Sequence, residues 1–451
     1  MTRPSGPAKD VDLVVGGSLP RALLHLALPA VGCMLLNTAF GIVDTFWVGR
    51  MGREAMAAMS AASFFLWSMY ALISLVDVGT RAHVSRRAGE RDWAPMARAA
   101  GEGIVLCLPV AAIAIAFYMA VTGPAFRFML VTGGVASMAR EYLDVILLGL
   151  PVMLVFWVVS AIFQGAGDTR TPFWLLGGSF LLNAILDPVL IFGWGPIPAL
   201  GLRGAALATV GSQAIGAVPG IVLLVRRNLL VVRRPLLSSG SLSILRIGLP
   251  TFTEGFLFCV VYVFIVRLLL PFGVSGLAAL GVGHRLESIS YMIALGFSHA
   301  AATLVGQCLG AGRPGRAARG AWLAVGLVSA VALGISVIFL LAPRILISAF
   351  IQDPETVAQG VVYLRIVALA QVAMVVEVTL FGAFEGAGDT VPPMIVSVSL
   401  TAARVPLAYL LAHGWDMGSS GIYWAISLTT ILKGIILAVW FLVGRWKSSK
   451  V

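Results

Sequence analysis

The sequence predicts an all-α membrane protein: twelve transmembrane helices in two six-helix lobes related by a pseudo-twofold axis along the membrane normal. Three observations lead there. The chain is 59% hydrophobic and only 11% charged, with mean hydropathy +0.97, where a soluble domain carries roughly a quarter charged residues. Its long apolar runs, Ala321–Leu341 among them, match the about 20 residues a helix needs to cross the hydrocarbon core, and they lack the dyad alternation of a membrane β-barrel. The chain also repeats itself. Gly-Ala-Gly-Asp-Thr at 165–169 returns at 386–390, and the same offset of 221 residues maps Pro29 onto Pro250, Gly52 onto Gly273, Gly89 onto Gly310, Tyr142 onto Tyr363 and Pro172 onto Pro393. Two such pentapeptides in register with five outside anchors make a tandem duplication.

The spans are placed at approximately 19–49, 55–85, 97–121, 137–164, 172–194, 201–226, 243–271, 276–307, 317–342, 357–385, 391–412 and 419–444. Several exceed the bilayer thickness and should tilt or protrude. Residues Thr2 to Asp12 are polar, and the first apolar run is too long for a signal peptide's h-region. At the end of span 4, Gly165 and Gly167 permit a tight turn, and Thr169 or Thr171 is placed to N-cap a helix entering at Pro172. The second copy, ending Thr390-Val-Pro-Pro, should work alike. The basic and then Ser/Gly-rich stretch Arg226–Ser243 is the one linker-like segment. It divides the chain into a first lobe (1–226), a linker (227–242) and a second lobe (243–451). Six spans per repeat is an even number, so the copies insert in the same sense, which places the symmetry axis along the membrane normal. Cys33, Cys107, Cys259 and Cys308 sit inside apolar spans without CxxC spacing and read as small buried hydrophobes.

The formal charge of +11 invites a nucleic-acid reading, but the basic residues lie in connectors and tails rather than on one groove-lining face. They are topology determinants. With a cytoplasmic N-terminus the inner segments hold nineteen: Arg3, Lys9, Arg21, Arg86, Arg87, Arg91, Arg98, Arg170, Arg226, Arg227, Arg233, Arg234, Arg246, Arg313, Arg316, Arg319, Arg445, Lys447 and Lys450. The outer side holds six: Arg50, Arg53, Arg127, Arg140, Arg203 and Arg344. Both termini are therefore predicted inside a bacterial-type plasma membrane. No Walker A, nucleotide fingerprint, Ser-His-Asp or HExxH constellation is present, so neither an ATP-driven pump nor an enzyme is indicated, and an ion gradient is the expected energy source.

Ionisable groups in hydrocarbon cost at least a few kcal/mol and demand a partner or a cavity. Span 1 carries Asp44, with Asn37 and Gly41 on the same face. Span 5 carries Asn183 and Asp187, four apart and hence stacked on one face. No basic residue accompanies them. Such a pair can take up a proton or a small hard cation, with Asn183 adding a carbonyl oxygen and Thr209 of span 6 a hydroxyl. The duplication does not copy this chemistry: Asn183 and Asp187 map onto Arg404 and Ala408. In the second lobe Glu254 and Glu377 are the favoured candidates for a substrate contact or a second proton site, with Glu–Lys or Glu–Arg pairing as the alternative. His284 and Glu287, at i,i+3, are placed to bond each other, and Asp77 and Arg81, at i,i+4, to form an ion pair. Pro29 is a candidate hinge in span 1. Phe64, Phe65, Trp67, Tyr70, Trp157, Phe163, Tyr262, Tyr291 and Met292 could line a cleft for flat lipophilic cations.

At these residues the chain resembles the multidrug and toxic compound extrusion (MATE) family over essentially its whole length. The resemblance rests on LALPA…GIVDTFWVGRMG, the duplicated GAGDT–P corners, LLNAILDPVLIFG, and ALGVGHRLESISYM…AAATLVGQCLGAGRP. It implies a V-shaped twelve-helix antiporter that exports cationic or amphipathic compounds against inward H⁺ or Na⁺, with no other cofactor. It also implies a first-lobe cation site at Asp44, Asn183, Asp187 and Thr209. Some members keep acidic and tyrosine ligands on span 10; the corresponding positions here are Ala370 and Met374, and Glu377 lies one turn away. The partners implied are small-molecule cations and the bilayer, with no nucleic acid, for a monomer in the inner membrane. A lipid-linked oligosaccharide flippase is the alternative, for which Arg267, Arg285, Arg365 and Arg404 would supply a cationic cavity.

Overall fold

The computed structural model describes residues 7–128, 133–232 and 238–449. Arg3, Arg233, Arg234 and Lys450 of the charge count, residues 233–237 of the linker and the side chain of Phe64 lie outside the described residues. The elements are α1 (Pro7–Gly16), α2 (Leu19–Gly49), α3 (Arg53–Gly89), α4 (Trp93–Phe128), α5 (Gly133–Gly165), α6 (Arg170–Phe192), α7 (Leu202–Arg226), α8 (Ser239–Leu269), α9 (Val274–Gly310), α10 (Pro314–Leu341), α11 (Pro343–Ser348), α12 (Pro354–Ala387), α13 (Val391–Tyr409) and α14 (Ser419–Val443). Twelve of them, all but α1 and α11, are long and apolar enough to cross a membrane. Each coincides with one predicted span to within a few residues. The main difference is length: α3 and α9 have 37 residues each, about 55 Å at 1.5 Å per residue, against a hydrocarbon core of about 30 Å. These two helices therefore extend into the polar layers, where Arg86 and Arg87 continue α3.

The packing repeats as the sequence does. In the first half α3 packs on α5, α5 on α7, α6 on α7 and α2 on α6. In the second half the equivalents recur: α9 on α12, α12 on α14, α13 on α14 and α8 on α13. The most extensive contacts between the halves are α3 on α8 and α2 on α9, each the other's symmetry mate, with α3 and α9 meeting directly between them. Glycines permit this crossing. A Cβ on Gly89 would run into the carbonyl of Gln307, and one on Gly310 into the carbonyl of Arg86. These two contacts are the same contact seen from either half, which is what a twofold relation requires. Gly79 and Gly248 make equally close approaches to the Ile244 and Leu75 carbonyls. All of this lies toward the end that carries both GAGDT corners. At the far end, the core around Leu269, Tyr363 and Tyr423 draws on the second half alone.

The polar N-terminal stretch contains a helix that apolar periodicity does not reveal. Helix α1 buries Val11, Val14 and Val15 and leaves its last carbonyls free, as every helix C-terminus does. The α9–α10 turn supplies their donors: Arg313 Nη1 to Val15 O at 2.8 Å, Arg316 Nε to Val14 O at 2.8 Å and Arg316 Nη2 to Gly17 O at 2.7 Å. Cations at a helix C-terminus also favour its dipole. Helix α1 is thus a strap from the first half onto the second, on the same side as the corners.

The seam predicts a contrast between two glycine-to-alanine changes. Gly248→Ala forces backbone against backbone and should lower thermal stability in detergent, by about 1–3 kcal/mol as overpacked sites do. Gly334→Ala in α10, with nothing within 4 Å of the new Cβ, should be neutral or gain about 0.5–1 kcal/mol of helix propensity. Equal melting temperatures for the two variants would contradict the packing described.

Candidate functional site

Helix α6 buries one stripe, Pro172, Leu176, Ser179, Asn183, Asp187 and Ile191, which is the 3.6-residue period of a helix with one face inward. Asn183 and Asp187 sit on it, each with 0% exposure. Helix α2 buries Phe40, Asp44 and Val48 at four-residue steps toward its outer end. Since α2 packs on α6, the three polar residues converge. Asp187 and Asn183 both lie beside the Asp44 carboxylate. Thr209 of α7 donates to Asp44 Oδ2 at 3.1 Å, and Asn183 Nδ2 to Asp187 Oδ1 at 3.3 Å. All four predicted first-half residues are therefore brought together, with Asp44 and Thr209 only 6% and 7% exposed.

What these bonds leave over defines the site. Asp44 Oδ1, Asn183 Oδ1 and Asp187 Oδ2 are buried without a hydrogen-bond partner, and among the described residues neither carboxylate forms a salt bridge. Three orphaned oxygens in a low-dielectric interior are costly unless a proton or cation satisfies them. Oxygen-only donors suit a small hard cation. Tyr70 of α3 lies in the neighbourhood of Asp44, and Tyr142 of α5 in that of Asp44 and Asp187, neither bonded to them among the described residues. Their place here is not readable along the chain: Tyr142 stands there as a symmetry anchor, and its recurrence as Tyr363 is the one signal available.

The corner motif works differently from the expectation. Helix α6 begins at Arg170 rather than Pro172, and Thr169 occupies the N-cap position as expected, but its side chain makes no capping bond; the carboxylate of Asp168 supplies it. Asp168 Oδ1 accepts from the backbone N–H of Arg170 (3.1 Å) and of Thr171 (2.9 Å), while Oδ2 meets Arg227 Nη1 at 2.7 Å. A carboxylate outcompetes a hydroxyl here because it satisfies two orphan donors and the helix dipole together. Thr169 is left free to bond elsewhere, and its hydroxyl donates to the His25 carbonyl at 3.1 Å. That carbonyl belongs to residue i−4 of Pro29, whose missing N–H leaves it without a helical partner. Helix α2 therefore continues unbroken through Pro29. In the second copy Thr390 donates to Ile247 O at 2.8 Å beside Pro250. There Asp389 has no arginine partner among the described residues, and burial pushes its carboxyl above the usual range. The middle glycines, Gly167 and Gly388, hold φ of +97° and +76°, a region that residues with a Cβ adopt only at a cost.

In the second half, Tyr262, His284 and Glu287 gather, but not as predicted. His284 Nδ1 stands 3.8 Å from Glu287, beyond hydrogen-bonding distance; Glu287 instead accepts from Tyr363 at 2.9 Å. Aromatic rings run inward from the seam: Trp67 to Tyr262 (6.2 Å between centroids), Tyr262 to His284 (5.0 Å) and Tyr363 to Tyr423 (5.1 Å). Glu377 pairs with Lys433 at 3.1 Å, which realises the Glu–Lys alternative. Glu254 accepts from Ser397 at 2.9 Å. Of the aromatic set, Trp67, Tyr70 and Tyr291 are well exposed, whereas Phe65 and Phe163 are buried in the first-half core and do not line a cleft. Asp77 and Arg81 form the expected ion pair at 3.0 Å.

A twelve-helix duplicated bundle holding a polar site without counter-charge on its inward helix faces defines a polytopic transporter. The MatE family model matches this chain twice, over residues 29–189 and 250–410, and the two matches begin 221 residues apart. The chain belongs to the MatE family. It is similar to a probable multidrug resistance protein NorM of Thermotoga maritima, 31% identical over 438 residues covering 96% of this chain and 94% of the relative. It also resembles an FAD transporter of Shewanella oneidensis, 26% identical over 450 residues and 97% of both chains. Among solved structures, the outward-facing conformation of a multidrug resistance MATE family transporter superposes with TM-score 0.90 at 22% identity, covering 98% of this chain and 99% of that one. That likeness concerns the fold.

Two changes test the geometry. Thr209→Val removes one hydrogen bond to Asp44, worth about 1 kcal/mol, and should change the affinity of the Asp44–Asp187 pair for a proton or Na⁺ roughly fivefold, read by equilibrium titration of the purified protein. Thr169→Val strands the His25 carbonyl and should cost about 1–3 kcal/mol of stability, read from the melting temperature, with the site's affinity unchanged.

Proposed function

We propose that the protein is a secondary antiporter that exports cationic or amphipathic small molecules across a bacterial inner membrane, in exchange for H⁺ or Na⁺ held between Asp44 and Asp187. The observation that carries this reading is the trio of buried, unpartnered oxygens of Asp44, Asn183 and Asp187, on the inward stripes of two helices. Family membership and relatives named for multidrug resistance support the direction and class of transport.

The coupling acts through α2. That helix carries Asp44 toward one end and, around Ala22–Ala27, packs into the core shared with α9 of the other half. A charge change at Asp44 therefore alters the helix that closes the seam, with Pro29 between the two regions as the point of flexure. An ion shifts such an equilibrium only by its differential affinity for the two states, and a swing from 1:99 to 99:1 needs about 5.5 kcal/mol. Desolvating an unpaired carboxylate is of that order. The corner-bearing end also carries Arg86, Arg87, Arg227, Arg313 and Arg316; by the positive-inside rule it is the cytoplasmic side. Both termini then lie in the cytoplasm, and the seam closes the protein toward it. The chain divides functionally into residues 1–226 and 243–451 about a cytoplasmic linker, and one copy suffices for transport.

Proteoliposomes with pH and Na⁺ gradients imposed independently provide the test. Wild-type protein should expel a cationic dye under one of the two gradients and show no export when no gradient is imposed, whereas Asp44→Asn and Asp187→Asn should fall at least roughly tenfold, about 1.4 kcal/mol of lost coupling, while remaining monodisperse. Unimpaired export by Asp44→Asn would overturn the assignment. A flavin dinucleotide arm and a fluorescent-lipid scrambling arm distinguish an anionic-substrate exporter and a flippase.

A further inference from the structure

The hydrophobic cores cross the division of the chain into halves. Ala22, Leu23, Leu26 and Ala27 of α2, with Val14 of α1, are buried in one core with α9 and α10 of the second half. From Cys33 onward, α2 shares its core with Phe156, Leu176 and Ala217 of the first half. The handover falls between two close approaches. A Cβ on Gly296 of α9 would run into the Val31 backbone, and one on Gly32 into the Phe173 ring of α6. Helix α8 makes the reverse exchange. Ile244 and Ile247, the copies of Leu23 and Leu26, pack on the first half, Ile244 in its main core and Ile247 against Val78 and Ala82. Ser238, which caps α8, donates to Glu102 of α4 at 2.6 Å.

Helix α1 decides which half the beginning of α2 follows. Toward the second half it has the three bonds from Arg313 and Arg316 to the carbonyls of Val14, Val15 and Gly17. Val14 is fully buried there, its carbonyl 3.9 Å from the Cys308 thiol of α9. Toward the first half, Val11 and Val15 join the apolar core, and Asp12 pairs with Arg91 at 2.6 Å, the two side chains 48% and 56% exposed. The Thr169 hydroxyl bond to the His25 carbonyl also crosses to that half. The pair of His25 with Asp10, at 3.2 Å, joins α1 to α2 and so lies within the segment. Guanidinium bonds are charge-assisted and strong, whereas an ion pair this exposed contributes little. The weaker attachment is therefore the one to the first half. Arg313 and Arg316 have no copies, since the equivalent positions hold Asp92 and Pro95.

Resting on the transport reading proposed above, we infer that residues 7–27 are exchanged between the halves: they travel with the second half, and Arg313 and Arg316 are the clamp that holds them to it. When the seam opens toward the cytoplasm, the Asp12–Arg91 pair and the Thr169 bond to the His25 carbonyl part while the clamp stays closed. Movement of the second half then acts on α2, the helix that carries Asp44, through covalently continuous chain. The two arginines are positioning residues on this account and touch no substrate.

Two cross-links separate the two sides of the segment. In a chain with Cys33, Cys107 and Cys259 replaced by alanine, Val14→Cys is joined to Cys308 by a short, reducible bifunctional thiol reagent. In a second chain, with Cys308 also replaced by alanine, Asp12→Cys is joined to Arg91→Cys. Dye export in proteoliposomes is measured before and after reduction. The first link should leave export unchanged; the second should lower it at least roughly tenfold, with recovery on reduction. Export stopped by the first link, or unaffected by the second, overturns the inference. Reduced proteins that export no dye under either gradient would instead count against the transport reading, and spin-label distances then decide the present one without it. Labels at the exposed positions Lys9→Cys with Gly315→Cys should keep one separation across a titration of pH and Na⁺, while Lys9→Cys with Asp92→Cys should gain a longer component. A fixed Lys9–Asp92 distance, or a changing Lys9–Gly315 distance, is fatal. Arg313→Gln with Arg316→Gln should broaden the Lys9–Gly315 distribution, and an unchanged distribution removes the clamp.

Discussion

The coupling proposed for this fold depends on two carboxylates, Asp44 and Asp187, buried together with no basic partner among the described residues. In water such a pair is unremarkable. Inside a helix bundle its charged form is expensive, and the protein meets that expense neither with a salt bridge nor with a full set of hydrogen bonds: Asp44 and Asp187 each keep one oxygen unpartnered. Two other buried carboxylates here do have a basic partner, Asp77 in Arg81 and Glu377 in Lys433. Asp44 and Asp187 have none among the described residues, and on the function proposed above it is this pair that responds to an ion.

A response must reach the rest of the molecule, and the seam between the halves is built for discrete rather than gradual change. Gly89 against the Gln307 carbonyl and Gly310 against the Arg86 carbonyl are backbone-on-backbone contacts, with no side chain to yield. They are either made or broken. Around them α1 is tied by Arg313 and Arg316 to the opposite half, and Thr303 and Gln307 of α9 donate to the Gln164 and Gly165 carbonyls at the end of α5. Packed interfaces of this kind have two arrangements rather than a continuum, which is how a small local charge change becomes a large movement.

Duplication supplied this architecture and divergence supplied the chemistry. The packing pairs are equivalent in the two halves, yet the residues on the inward stripes of α6 and α13 have opposite character: Asn183 and Asp187 in one, Arg404 and Ala408 in the other. A scaffold whose stability comes from apolar packing and small residues at helix crossings tolerates such exchange, because the polar stripe contributes little to holding the helices together. The corners show the same division of labour. Gly167 and Gly388 keep the positive φ that the turn requires, while Asp168 gained Arg227 and Asp389 has no such partner.

Local regularities were legible in the chain itself. Apolar runs of membrane-crossing length located the twelve helices, the offset of 221 located the repeat, and four-residue spacing put Asn183 and Asp187 on one face, since helical period and hydropathy are properties of neighbours along the chain. Helix α1 escaped because its apolar residues are few and are buried by Arg313, Arg316 and α9, some 300 positions away. The roles of Thr169 and Asp168 were exchanged for the same reason: which of two adjacent polar side chains caps a helix depends on whether Arg227 and the His25 carbonyl come within reach. Whether Asp44 meets Asp187, whether Glu287 bonds His284 or Tyr363, and which carboxylates have a counter-charge were decided only by helix-against-helix packing. Those distances are set by long-range contacts between separate helices, and no spacing along one helix encodes them.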